Sequence, residues 1–211
     1  MVLEVGMPDF EYSGGSLCLD FANTWGDRSD VGKDTMTGYG DLLDWAHGAG
    51  LVSDRERSEL ETLAHREETR GFGVFRTAIE LRDTIYRLCS ATAAGEKASE
   101  RDVAALNAAL QTIPRQQLCC SGSCCDWEWP ADRPELRQVL WPIIQSAADL
   151  VTSSEVSRLR ECEAPDCNWL FLDRSRGGRR RWCDMSTCGN RAKARRYYER
   201  HRRNSKSGSA Y

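Results

Sequence analysis

The sequence predicts a mainly α-helical body with a small β-hairpin, followed by a small α+β, treble-clef-like module that carries four cysteines. Three observations predict it: serine-capped segments of helical apolar period up to residue 157, two β-compatible runs around Ser121-Gly122-Ser123, and the spacing Cys162-x4-Cys167-x15-Cys183-x4-Cys188. A chain of 211 residues holds one medium domain and one small metal-stabilised unit, not two full-sized cores. The expected boundaries are 1–157 for the acidic body, 158–203 for the cysteine module and 204–211 for a disordered polar tail.

Ser16 to Trp25 is a short apolar segment around Leu17, Leu19, Phe21 and Ala22, leading into a Gly- and Asp-rich loop that ends near Thr37. Tyr39 to Ala46 reads as a helix burying Leu42, Leu43 and Trp45, stopped by Gly48 and Gly50. Ser53-Asp54-Arg55-Glu56 matches a capping box, in which serine and glutamate satisfy free N–H groups at a helix start. That helix is expected to reach about Arg70. From Phe72 to Ala94 the positions Phe75, Ile79, Ile85, Leu88 and Cys89 recur near helical period, predicting a central helix closed by Gly95. Ser99 caps a further helix to Leu110, with Val103, Leu106 and Leu110 expected inward. Gln116 to Cys120 and Cys124 to Trp129 flank a three-residue glycine loop and read as a hairpin. Leu136, Val139, Leu140, Ile143, Ile144, Ala147, Leu150 and Val151 mark an amphipathic helix that Pro142 is expected to kink, and Ser154 is expected to cap a last turn before Cys162.

Apolar residues make up 40% and charged residues 29% of the chain, the balance of a globular protein. No apolar run approaches the ~20 residues that cross a bilayer, and Met1 to Phe10 has no basic leader region. A cytoplasmic protein with no membrane partner is expected. The net charge of −3 hides a division: residues 1–157 hold 14 Lys and Arg against 26 Asp and Glu, net −12, and residues 158–211 hold 15 against 6, net +9. An acidic body thus carries a basic module suited to nucleic acid or an acidic partner.

Ten cysteines in a mid-sized chain without an export signal favour metal binding over a disulfide scaffold. Cys162, Cys167, Cys183 and Cys188 supply two pairs of thiolates, enough to saturate one tetrahedral zinc and leave no position open for a substrate water. One structural zinc is expected, the plain alternative being buried free cysteines. Between the pairs, Trp169 to Leu172 and Arg179 to Trp182 are expected to form a hairpin, with Trp169, Phe171 and Trp182 as core under Ala192, Ala194 and Tyr197 or Tyr198. The run from Arg191 to Arg203 lacks glycine and proline, which puts Cys188 at a helix N-terminus, where the dipole favours a thiolate. Cys119, Cys120, Cys124 and Cys125 form a separate quartet. Adjacent strand residues face opposite ways, so the four are read as small strand residues in preference to a second metal or redox site.

Leu170-Phe171-Leu172-Asp173, Arg180-Arg181-Trp182-Cys183-Asp184-Met185 and Cys188-Gly189-Asn190-Arg191-Ala192-Lys193 closely resemble the CGNR zinc finger. Leu19-Asp20-Phe21-Ala22-Asn23-Thr24, Asp44-Trp45 with Gly50-Leu51, and Leu140-Trp141-Pro142 are similar to segments of the ABATE domain, which usually precedes that finger. The resemblance covers nearly the whole chain. It implies a bacterial regulator of transcription under stress, with the zinc ligands carried onto the four spaced cysteines.

The function that best fits these features is zinc-dependent DNA binding, with Arg179, Arg180, Arg181, Arg191, Lys193, Arg195 and Arg196 as nucleic-acid contacts. The alternatives are RNA binding, an adaptor gripping an acidic protein surface, and a merely solvated basic face. No enzyme is expected, since the zinc is saturated and His47, His65 and His201 have no recognisable nucleophile partner. Asp20, Asn23 and Thr24 are candidate pocket residues for an unidentified small-molecule effector, although capping and turn formation is their plainer role. A homodimer is compatible with the sequence.

Overall fold

The computed structural model describes residues 10–28, 30, 32, 34–130 and 133–207, with side chains as far as 201. The fold is mainly helical. Its order is α1 (Leu17–Ala22), α2 (Tyr39–Gly48), α3 (Asp54–Arg66), α4 (Glu68–Ala93), α5 (Glu100–Leu110), a hairpin of β1 (Gln117–Ser121) and β2 (Cys124–Glu128), α6 (Trp141–Thr152), β3 (Leu159–Glu161), β4 (Leu170–Leu172) and α7 (Asn190–Ser207). Short 3-10 segments at Leu136–Leu140 and Ser154–Arg158 flank α6. The first residues of the chain and residues 208–211, the end of the expected tail, lie outside the described residues; residues 204–207 continue α7.

The 26-residue α4 is the axis of the body, packed on by α1, α2, α3, α5, α6, β3 and β4. Its buried positions Val74, Ala78, Leu81, Ile85, Leu88 and Cys89 make the stripe that its apolar period requires. Arg82 lies in that stripe and is fully buried. Its guanidinium binds both Asp34 oxygens, at 2.7 and 2.5 Å, and fixes the loop after α1 to α4. Gly95, at φ +74°, ends α4 in the left-handed conformation that glycine adopts without strain.

Several caps match the expectation. Ser53 and Glu56 form both bonds of the capping box, and Ser99 accepts from the Asp102 N–H. The chain breaks at Glu67, so α3 ends at Arg66 and α4 starts four residues ahead of the expected Phe72. α5 is turned to bury Asp102, whose Oδ1 takes two bonds from Arg87, and this rotation leaves Val103 exposed. Pro142 opens α6 and does not kink it, because the preceding turn is 3-10 and an N–H is dispensable at a helix start. Ser153, not Ser154, caps the turn before β3. The body hairpin closes on two residues, Gly122 and Ser123, because Ser121 pairs directly with Cys124. Gly122 at φ +64° suits the first position of so tight a hairpin loop.

The cysteine module departs most from expectation. β4 pairs with β3, in register Leu159↔Leu172 and Glu161↔Leu170, and Arg179 to Trp182 is not a strand. Leu159, Leu170 and Leu172 are buried in the same core as α1, α4 and α6. From α4, Tyr86 and Ser90 donate to the Glu161 carboxylate at 3.2 and 2.6 Å. On the outer edge of β4, the Asn23 side chain donates to the Leu170 carbonyl at 2.9 Å and accepts from the Leu170 N–H at 2.8 Å, while the Leu172 N–H reaches the Gly14 carbonyl. The boundary near residue 158 therefore cuts through one continuous core.

Asn23→Ala would leave a buried N–H and a buried carbonyl on β4 unpaired. The expected cost is about 2–4 kcal/mol, a fall in Tm of roughly 4–16 °C for a chain of this size, read by calorimetry of the full chain.

Candidate metal centre and its basic helix

Cys162 leaves the end of β3, and Cys167 follows a tight turn in which its N–H bonds the Ala164 carbonyl at 3.0 Å. Cys183 precedes, and Cys188 sits inside, a wide π-type turn at Met185–Gly189 that runs directly into α7. Asp184 caps this turn, accepting from the Thr187 N–H at 2.8 Å; hydrogen bonds from Ser186 and Thr187 hold its carboxyl down at about 2. The fourth cysteine thus lies at a helix start, as the glycine- and proline-free run after it predicts.

All four Sγ atoms lie within 4.8 Å of one another, and all four residues are buried. Cys167 and Cys183 are 3.7 Å apart and Cys183 and Cys188 3.6 Å apart, sulfur to sulfur. A tetrahedron of four Zn–S bonds of ~2.3 Å has edges of about 3.8 Å, so the cluster has the size that zinc requires. The charges fit as well. Hydrogen bonds from Cys167 and Cys183 pull the Cys162 thiol down, and the same contacts push Cys167 and Cys183 up. Sulfurs this close cannot all ionise without a cation among them. A bound zinc would supply that cation and tie the loop after β3 to the start of α7.

Around the centre, Phe171 is fully buried and Trp169 and Trp182 are half-buried against the cysteines. The expected cover from α7 is missing: Tyr197 is 60% and Tyr198 71% exposed, and they meet edge to face instead. Guanidinium groups do that covering, with Arg180 over Phe171 at 4.6 Å and Arg181 and Arg196 over Trp182 at 5.1 and 5.9 Å.

The seven basic residues picked out by sequence fall into two groups. Arg181 is paired with Glu163, Arg191 and Arg195 both with Asp166, and Arg180 bonds the Trp182 carbonyl. Arg191 also donates to the Cys188 Sγ at 3.1 Å, which makes it a support of the centre. Arg179 and Lys193 are exposed and have no partner among the described residues, and Arg196 bonds only the Ala192 carbonyl while lying over Trp182. The contacts of Arg191 and Arg195 turn one side of α7 toward the centre, and Arg196 lies between that side and the outer one. At 100° per residue, Lys193, Tyr197, Arg200 and His201 fall on the other side.

Asp20, Asn23 and Thr24 each hold backbone, the plainer of the roles expected for them. Asn23 and Thr24 are buried; Thr24 donates to the Phe21 carbonyl and accepts from Arg82. The Asp20 Oδ1 accepts from the Gly14 N–H at 2.7 Å. A cavity of about 460 Å³ lies at the seam, between Gly26–Asp27 of the body and Asp166, Trp169, Cys188 and Arg191 of the module. The sequence did not point to Asp166 or Arg82, and it placed Tyr197 and Tyr198 as cover where they are exposed. Only Arg82 carried a signal, a charge set among apolar positions of helical period.

Elemental analysis of the full chain is expected to find one zinc per molecule. Cys183→Ser is expected to remove it and melt the wide turn and α7, lowering helical circular dichroism, while α1 to α6 keep their core. Asp20 makes a second, pH-dependent prediction. Burial raises its carboxyl to about 6, against the Gly14 bond that favours the anion. A folded-state value above the unfolded one means a contribution complete below pH ~4 and lost as pH rises through 6. Asp20→Asn, which keeps an acceptor for Gly14, is expected to flatten stability between pH 4 and 6 and to be the more stable chain at pH 7, measured by denaturant unfolding.

Comparison with protein-family models matches residues 15–154 to ABATE, described as "Putative stress-induced transcription regulator", and residues 158–201 to the CGNR zinc finger. A search of curated proteins finds no match. The two matched segments meet in the 3-10 turn just ahead of β3, and Leu159, Leu170 and Leu172 of the second are buried in the core of the first. The chain belongs to the ABATE family and ends in a CGNR zinc finger.

Proposed function

We propose that this protein binds duplex DNA through the outer side of α7 and the arginine loop ahead of Cys183, and regulates transcription. The observation that carries the reading is α7 itself. It has eight Lys and Arg against one Glu in 18 residues, and every described residue along it is exposed except the half-buried Ala192. A helix polar all round gains little from the fold, so its basic face is available to a partner. Width also fits, since a major groove ~12 Å across admits one α-helix. The reading favours Arg179, Lys193, Arg196 and Arg200 as phosphate contacts and gives Arg191 and Arg195 a supporting part.

The exposed pair Tyr197 and Tyr198 favours a second reading, single-stranded nucleic acid with bases stacked on aromatic rings. No catalytic step belongs to either reading. Four sulfurs would fill the shell of a bound zinc, and His201 lies on α7 against Tyr197, 4.2 Å between ring centroids. The body's part would be to sense an effector or dock a partner, and the seam cavity beside the centre is the place from which an effector could act on α7. No described helix is long and apolar enough to cross a membrane.

The test uses the full zinc-loaded chain with duplex and single-stranded probes at graded salt. With four or five phosphates neutralised, log K for duplex is expected to fall with log salt at a slope of about −4. Lys193→Ala and Arg200→Ala are each expected to lower that slope by about one. Arg191→Ala is expected to lower zinc affinity as well. A slope near zero for duplex would reject the proposal in favour of a protein-interaction adaptor. Tighter single-strand binding that Tyr197→Ala abolishes would establish the second reading.

A further inference from the structure

The cysteine quartet plays no part in the metal centre. The β1–β2 register puts Cys120 opposite Cys125, and those two are joined by a disulfide. Cys119 and Cys124 fall on the other face, as diagonal neighbours, with free thiols. Alternation thus splits the quartet into one bonded pair and one open pair, and denies a single metal all four sulfurs. The disulfide shares its face with Leu118 and Trp127, paired across the strands and 58% and 64% exposed. Cys119 is a poor competitor for exchange, because partial burial and the Glu128 carboxylate keep its thiol protonated.

The hairpin has little else to hold it. Its strands pair only with each other and are exposed almost throughout. An isolated two-stranded hairpin is marginal in water, so the cross-link is its main constraint. Exposed disulfides are also the ones open to attack by an external thiolate.

We propose that Cys120–Cys125 is a reversible redox site, exchanging with dithiols and disulfides from outside the chain, and that its reduction unpins the hairpin. A donor thiolate attacks one Sγ, the Cys120–Cys125 bond breaks, and the released sulfur takes up a proton. The donor's second thiol, giving up its proton, then attacks the mixed disulfide and leaves as a cyclic disulfide. Two electrons and two protons pass to the cysteine pair, and a disulfide oxidant reverses the change. Reduction disperses the Leu118–Trp127 face. It also loosens Gln116 and Trp129 at the hairpin's base, which wall a cavity of about 360 Å³ shared with Ser146, Glu155 and Arg174.

The test equilibrates the full zinc-loaded chain in glutathione buffers of graded poise and with dithiothreitol, zinc content measured throughout. Thiols are alkylated and counted on the hairpin peptide by mass, and amide exchange is followed over residues 117–128. Two labelled cysteines are expected at the oxidising end and four at the reducing end, in one reversible transition. Hairpin exchange is expected to quicken by roughly 40-fold, the chain-entropy value for a loop of about six residues. The double variant Cys120→Ser/Cys125→Ser is expected to exchange fast at every poise, and Cys119→Ser/Cys124→Ser to keep the transition. Four free thiols at the oxidising end, a second metal ion on these cysteines, a disulfide that stays closed in dithiothreitol, or exchange that ignores poise would each overturn the proposal.

Discussion

A strand of three residues has two edges and two faces to satisfy, and β4 obtains each from a different part of the chain. β3 takes one edge, the Asn23 carboxamide and the Gly14 carbonyl take the other, and Leu170 and Leu172 enter the body core while Phe171 turns to the cysteines. An amide side chain can imitate a neighbouring strand because it offers one donor and one acceptor side by side. This pairing fixes where the metal centre sits. The first two cysteines flank the β3–β4 turn, so their positions follow from a sheet that the body holds. A bound zinc and the body packing would therefore stabilise overlapping parts of one structure.

Charge is arranged in the same economical way. The basic quarter of the chain, residues 158–211, has six acids, and two of these, joined by Glu155 of the body, hold particular arginines. Asp166 gathers Arg191 and Arg195, Glu163 holds Arg181, and Glu155 holds Arg174. Each such pair is half exposed and worth little in stability. Their effect is on direction, since a guanidinium held at one oxygen is no longer pointed outward. What remains for a partner is a narrower set than the sequence suggests, on one side of α7 and at Arg179.

The cysteine spacing and the caps at Ser53 and Ser99 were legible because their physics is local: a few residues bring ligand to ligand or donor to acceptor. Helix existence was legible for the same reason, through apolar period. The partner of β4 was not. Leu159-Arg160-Glu161 is too short and too polar to announce a strand, and only its contact with α4 makes it one. Asn23 meets Leu170 across 147 positions of sequence, and nothing at either end marks the match. The exposure of Tyr197 and Tyr198 was not legible either, because a core of Trp169, Phe171 and Trp182 calls for cover from α7, whereas arginine planes cover Trp182 and Phe171. The reverse error was made at Cys120 and Cys125, where alternation correctly forbade convergence of four but left a directly opposed pair unremarked.

The absence of any linker between core and cysteine centre has a mechanical consequence. A tethered module samples all orientations within its tether's reach and meets its target by concentration alone. Here α7 is a beam about 27 Å long, at 1.5 Å per residue, clamped at one end by the wide turn and the sulfurs. A rotation of a few degrees at the seam would displace its far tip by one or two ångströms, enough to bring a side chain into or out of hydrogen-bond range. Orientation, more than reach, is then what the body controls.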